Sequence, residues 1–186
     1  MIMLEEFQRV LGMTALENVS IRDTEDILAK IDRAPALACQ LLNPERVTGK
    51  DHVQLAVLNA LRAFKNSRNI SRQLSIEILL YASGQRQIEK ALGMLGIKAG
   101  MQRVLAVAVG ETDEEVKELL NAVRGLLGGQ ASDEMMEQWS EEKAWKILEA
   151  YGISPDEVRA ARRADEPIQD LITKILAERM ALLSML

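Results

Sequence analysis

Ile76-Glu77-Ile78-Leu79-Leu80-Tyr81-Ala82-Ser83-Gly84 is the stretch around which the rest of this chain has to be arranged. It is apolar nearly all round, and a helix of that kind belongs at the centre of a fold. Its one acid, Glu77, must there find an arginine or backbone amides. Ser71 is placed to cap the helix from upstream, and Ser83-Gly84 closes it. Working outward, Ile88, Ala91, Leu92 and Leu95 form a short helix that stops at Gly96. On the other side Val53, Ala56, Val57, Ala60, Leu61 and Phe64 recur at helical spacing, with Thr48 and Asp51 as a start signal of the capping-box type.

Beyond these helices the period changes. Residues 103–109 are valine-rich and near-continuously apolar, as in a strand covered on both faces. Residues 7–16 and 36–42 read as two more strands, the latter closed by Asn43-Pro44. Further helices are expected over residues 24–31, after Thr112 and Glu115, through Trp139 and Trp145, after Ser154-Pro155-Asp156-Glu157, and from near Pro167 to the end. The expected architecture is α+β, a small mainly antiparallel or mixed sheet of three to four strands packed with about seven to eight helices. One domain over residues 1–186 is expected from the length.

Hydrophobic residues make up 48% and charged residues 27%, an ordinary globular composition. No apolar run approaches the roughly 20 residues that span a bilayer. The start Met1-Ile2-Met3-Leu4-Glu5-Glu6 has no basic, apolar leader, and a lone Cys39 forms no internal disulfide; the expected compartment is the cytoplasm. Catalytic chemistry is sparse. One histidine and one cysteine make a zinc or thiol site improbable. Gly49-Lys50-Asp51 lacks what a phosphate loop requires, and neither a Gly-x-Ser-x-Gly nor a Gly-x-Gly-x-x-Gly pattern occurs. Cys39 reads as a small core residue. No metal or organic cofactor is expected.

The net charge of −5 is unevenly spread. From Arg46 to Arg103 ten Lys or Arg face three acids, and from Glu111 to Glu142 ten acids face two bases. A basic segment within an acidic chain suits a polyanion, because phosphate neutralisation depends on local charge; the plain alternative is solvated helix surface.

The run Ile76-Glu77-Ile78-Leu79-Leu80-Tyr81-Ala82-Ser83-Gly84-Gln85-Arg86-Gln87-Ile88, continuing to Leu95-Gly96-Ile97, resembles the archaeal branch of the kinase-binding subunit of the KEOPS complex, the PRPK-binding or TPRKB family. Ile153-Ser154-Pro155-Asp156-Glu157-Val158 and Glu178-Arg179-Met180-Ala181-Leu182-Leu183 resemble its terminal helices. The likeness runs from about residue 36 to the end, and the acidic segment at about 125–142 is longer than the family pattern.

The resemblance implies a non-catalytic subunit that binds the PRPK-type atypical kinase/ATPase and the single-stranded CCA end of tRNA during threonylcarbamoyl adenosine modification, with no membrane or small-molecule substrate. On that reading the tRNA contacts are His52, Lys65, Arg68, Arg72, Ser83, Gly84, Gln85, Arg86 and Lys98, and the kinase contacts are Ile88, Ala91, Leu92, Met94, Leu95, Leu182 and Leu183. Core packing is the competing explanation for each apolar residue. Two alternatives stand beside it: an RNA-binding regulator without a kinase partner, and an acid–base enzyme using Glu77 with His52.

Overall fold

The computed structural model describes residues 1–31, 37–132, 134–163 and 165–185. Arg9–Glu17 (β2) and Arg103–Gly110 (β4) form the spine of an antiparallel sheet, paired from Val10 opposite Gly110 to Glu17 opposite Arg103. Ala38–Leu42 (β3) joins the far side of β4, and Ile2–Leu4 (β1) and Gln130–Ala131 (β5) both pair with β2. The order is β1-β2-β4-β3, with β5 beside β2.

Both faces of this sheet are covered, which explains the unbroken apolar character of β4. Leu105, Val107 and Val109 point into one core with Leu11, Ala15 and Leu42; Val104, Ala106 and Ala108 point into a second with Val10, Leu16, Cys39 and Leu41. The strand period of two divides one sequence between two cores. Thr24–Ile31 (α1) and Asp113–Leu127 (α5) pack on the second face, contributing Ile27, Ile31, Val116, Leu119, Val123 and Leu127. Gly12 on β2 makes room there, since a methyl at its position would sit 2.3 Å from Val116 Cγ1.

The first face carries the remaining helices: Lys50–Lys65 (α2), Leu74–Ser83 (α3), Ile88–Leu95 (α4), Glu134–Glu137 (α6), Glu141–Tyr151 (α7), Pro155–Ala161 (α8) and Ile168–Met185 (α9). Helix α3 lies at the centre, with Ile78, Leu79 and Leu80 wholly buried and Glu77 buried among them. The stripe of α9, Leu171, Ile172, Ile175 and Leu176, closes over α2 and α3.

The α+β reading holds, and the sheet is antiparallel throughout. Two strands and one helix exceed the sequence expectation: β1, β5 and α6 have three, two and four residues, too few to display a period. The expected strand over residues 7–16 starts later, because Glu5–Phe7 is a 3-10 turn and Gln8 is left-handed at φ 51°. Of the strand expected over 36–42, residue 36 lies outside the described residues. Trp139 precedes its helix, which is capped by Ser140.

The capping box at Thr48 does not form. Gly49 occupies the N-cap of α2 without a side-chain bond, while the Thr48 hydroxyl is buried against that of Thr173 at 2.7 Å. Ser154 does cap α8, accepting from the Glu157 amide at 3.1 Å. Ser154→Ala is expected to cost about 1 kcal/mol, measured by urea unfolding; an unchanged midpoint would show that the cap contributes nothing.

Candidate nucleic-acid and partner interface

The ten bases between Arg46 and Arg103 fall into two groups. Arg46 donates to the carbonyls of Gly93 and Met94, Lys50 pairs with Glu137, Arg62 with Glu6 and Arg103 with Glu45. These four are engaged in holding elements together. Lys65, Arg68, Arg72, Arg86, Lys90 and Lys98 are exposed and carry no ion pair among the described residues, although Lys65 lies over the Phe7 ring at 5.6 Å. Five of the six were candidates from sequence. The sixth, Lys90, sits in the first turn of α4 just after the loop that carries Arg86, and its place in the same basic segment was the available signal.

Arg86 and Lys90 border a hollow of about 380 Å³ between the α3–α4 loop and the end of α9. Gly84, Gln85, Gln87, Arg179, Leu182 and Leu183 line the rest. The hollow exists because α3 ends abruptly. Gly84 takes the left-handed conformation at φ 64°, and its amide and that of Gln85 bond the carbonyls of Tyr81 and Leu80. The loop then turns outward. Sequence reasoning also passed over Arg179, which donates to the Tyr151 carbonyl and reaches both Glu157 oxygens at 3.0 and 3.1 Å. It anchors α8 to α9 and forms one wall of the hollow.

The other cations are not gathered here. Arg68 and Arg72 lie before α3 and Arg86 after it, at opposite ends of a ten-residue helix about 15 Å long at 1.5 Å per residue. Lys98 follows the opposite end of α4. The loop carrying Arg68 and Arg72 is held from inside: the Glu77 carboxylate accepts the Ile70 amide at 3.0 and 3.1 Å and the Ser71 amide at 2.7 Å.

Five expected contact residues are buried and face inward. His52 is 1% exposed; its Nδ1 accepts from the Thr48 amide at 3.3 Å, so the ring proton sits on Nε2, 2.9 Å from the Ala82 carbonyl. Burial lowers its pKa to about 4, against the smaller opposing effect of the Ala82 bond. Ser83 is likewise buried, its hydroxyl turned back to the Leu80 carbonyl. Ala91, Leu95 and Leu183 belong to the main core. Of the five, Leu183 alone still touches the hollow, at its inner wall; the other four side chains are turned into the fold. Ile88, Leu92 and Leu182 are exposed and remain available, and Met94 is half-buried.

The acid–base pairing of Glu77 with His52 is not assembled, because Glu77 turns to the loop before α3 and His52 to the carbonyl near its end. Among the described residues no three His, Cys, Asp or Glu side chains are grouped to hold a metal ion, and no helix is long and apolar enough to cross a membrane.

Comparison with known proteins gives a consistent result. The family model described as kinase binding protein CGI-121 matches residues 17–184. A regulatory protein Cgi121 of Methanocaldococcus jannaschii is 32% identical over 117 residues, 63% of this chain and 72% of that protein. A KEOPS complex subunit Cgi121 of Pyrococcus abyssi is 26% identical over 83 residues, 44% of this chain and 48% of that protein.

Proposed function

The chain belongs to the kinase binding protein CGI-121 family, and we propose that it is a non-catalytic subunit of a cytoplasmic KEOPS-type assembly, docking a PRPK-type kinase/ATPase and holding the single-stranded CCA end of tRNA. The observation that carries this reading is the coincidence of unpaired cations with exposed apolar side chains at one end of the molecule. Arg86 and Lys90 border the hollow that Leu182 also lines, while Ile88 and Leu92 share the outward face of the adjoining α4.

Single strands are bound by cations that follow the backbone and by groups that meet the exposed bases. Arg86 and Lys90 supply the first, and Gln85, with the backbone of Gly84, supplies polar groups for the second. Arginine planes rather than aromatic rings would stack the bases, since Tyr81 is buried in α3. Lys65, Arg68, Arg72 and Lys98 extend the charged surface toward the body of the tRNA. Kinase docking falls to Ile88, Leu92 and Leu182, with Met94 at the edge.

The test compares one tRNA with and without its CCA nucleotides at fixed moderate salt. The intact tRNA is expected to bind at least tenfold more tightly, and Arg86→Glu with Lys90→Glu to remove that difference. The slope of log affinity against log salt should flatten by roughly 0.7 for each single-strand phosphate that the variant no longer neutralises. In parallel, Ile88→Ser with Leu92→Ser, which adds no charge beside Arg86 and Lys90, is expected to abolish capture of the kinase while leaving tRNA affinity within twofold. Equal binding of both tRNAs would sink the CCA assignment; capture of tRNA but never of kinase would leave a stand-alone RNA-binding protein.

A further inference from the structure

Trp145 is the most exposed large apolar side chain among the described residues, at 67%. It stands on the edge of a groove of about 510 Å³ between α7 and α8, away from the hollow described above. Ala144 and Leu148 continue the α7 wall, Pro155 and Val158 form the α8 wall, and Ile153 and Ile168 lie in the lining. Along α9 this groove, at Ile168, and the hollow, at Leu182, are separated by about 21 Å. The two are distinct surfaces.

The groove exists for a local reason. Helix α8 has no fully buried residue: Val158 and Ala161 reach the edge of the main core but are only half-covered by it, and Val158 is left lining the space beside α7. The Arg179–Glu157 pair and the Ser154 cap add to this partial packing in holding the helix. A volume of this size falls within the range of about 300–1,000 Å³ found for ligand sites. The lining is mostly hydrocarbon, and an exposed tryptophan beside such a lining is the residue type that most often anchors a protein contact.

The rim specifies charge. Arg159 and Arg162 stand on the α8 side. Arg159 has a partner in Asp156 one turn back, whereas Arg162 has no ion pair among the described residues. Glu141 is the one acid in the lining. Arg162 is thus the guanidinium on this rim without an intramolecular carboxylate, while Arg159 is shared with the exposed Asp156, and guanidinium is suited to pairing with carboxylate in two parallel bonds. A second copy of this acidic chain would meet general repulsion.

We infer that the α7–α8 groove is a docking site for a protein segment that lays an apolar helical ridge against Trp145, Leu148 and Val158 and presents carboxylates to Arg159 and Arg162. Helix α7 has 11 residues and α8 has 7, lengths of about 16 and 10 Å, which accommodate two to three turns of a bound helix. This surface requires neither RNA nor the α4 face, so its occupant can be bound together with both.

The experiment uses the full chain carrying Trp139→Phe, so that Trp145 is the sole indole, and two synthetic peptides of about 16 residues. Each has leucines at i, i+3, i+4 and i+7; glutamates flank the ridge in one and lysines in the other. The glutamate peptide is expected to shift Trp145 emission to the blue with a dissociation constant on the order of 10–100 µM, and the lysine peptide to bind at least tenfold more weakly. Calorimetry with Arg162→Glu should reverse that preference, and Trp145→Ala, a surface change that leaves the circular dichroism spectrum intact, should remove binding of either peptide. No emission shift from either peptide would overturn the proposal, as would equal affinity for the two. A blue shift that follows protein concentration alone, with faster sedimentation, would make a second copy the occupant and overturn it equally.

Discussion

Glu77→Leu is expected to lower the stability of the fold by about 3 to 4 kcal/mol. The carboxylate is fully buried, and its two oxygens take the Ile70 and Ser71 amides in three short contacts. Leucine fills much the same volume but accepts nothing, so two backbone donors beside a buried helix are left unsatisfied at about 1–3 kcal/mol each. For a domain of this size the midpoint of thermal unfolding should fall by about 10 °C. Glu77→Gln keeps one acceptor oxygen and the shape, and should cost about 1–2 kcal/mol. A sharper effect is local. In Glu77→Gln the amides of Ile70 and Ser71 should lose hydrogen-exchange protection before any core amide does, because they are the ones released. Retained protection at both, or a leucine variant within about 0.5 kcal/mol of wild type, would show that the loop is held by something else. Since Arg68 and Arg72 ride on this loop, the same variant should weaken tRNA binding if those cations contribute, without a change to the Arg86 hollow.

The centre of this fold could be read from residues 76–84 because every constraint there acts in the same direction: apolar side chains on all faces, one acid needing internal partners, and a glycine free to end the helix. β4 was legible for a related reason, being covered on both sides. What escaped was set by partners remote in sequence. Thr48 followed by Asp51 has the form of a cap, yet Thr173, 125 residues away, takes the hydroxyl. His52 sits at the start of a basic helix, yet Ala82 and Tyr151 enclose it. Leu183 lies in a run with more apolar residues than one face needs, and packing decided that it turned inward while Leu182 turned out.

The candidate site was legible as composition but not as arrangement. Counting charges found the basic segment; only the positions of Glu6, Glu45 and Glu137 could separate bases that tie the fold together from those left for a ligand. Exposed ion pairs contribute little to stability, so their consequence here is mainly selective. They neutralise the cations on the body of the molecule and leave positive potential on the loops at both ends of α3.

The last expected result concerns His52, the only histidine in the chain. Its folded pKa is depressed to about 4 from 6.5, chiefly by burial. Between those values the unfolded chain binds a proton that the folded chain refuses, so stability is fully present above about pH 6.5 and falls as pH is lowered toward 4. The full loss is about 3 kcal/mol, and about 2 kcal/mol of it should appear between pH 7.5 and 5. The mechanism is specific: a protonated ring would turn Nδ1 from acceptor to donor, opposing the Thr48 amide that points at it. With a single imidazole the test is direct. Its C2 proton resonance should hold the neutral position down to about pH 5, whereas an exposed ring would be half-titrated near 6.5. Urea unfolding at the two pH values should show the stability difference in the wild type and not in His52→Gln, even though the variant is less stable throughout. A resonance that titrates near 6.5 would mean that the ring reaches water in solution, and His52 would then return as a candidate contact for the tRNA.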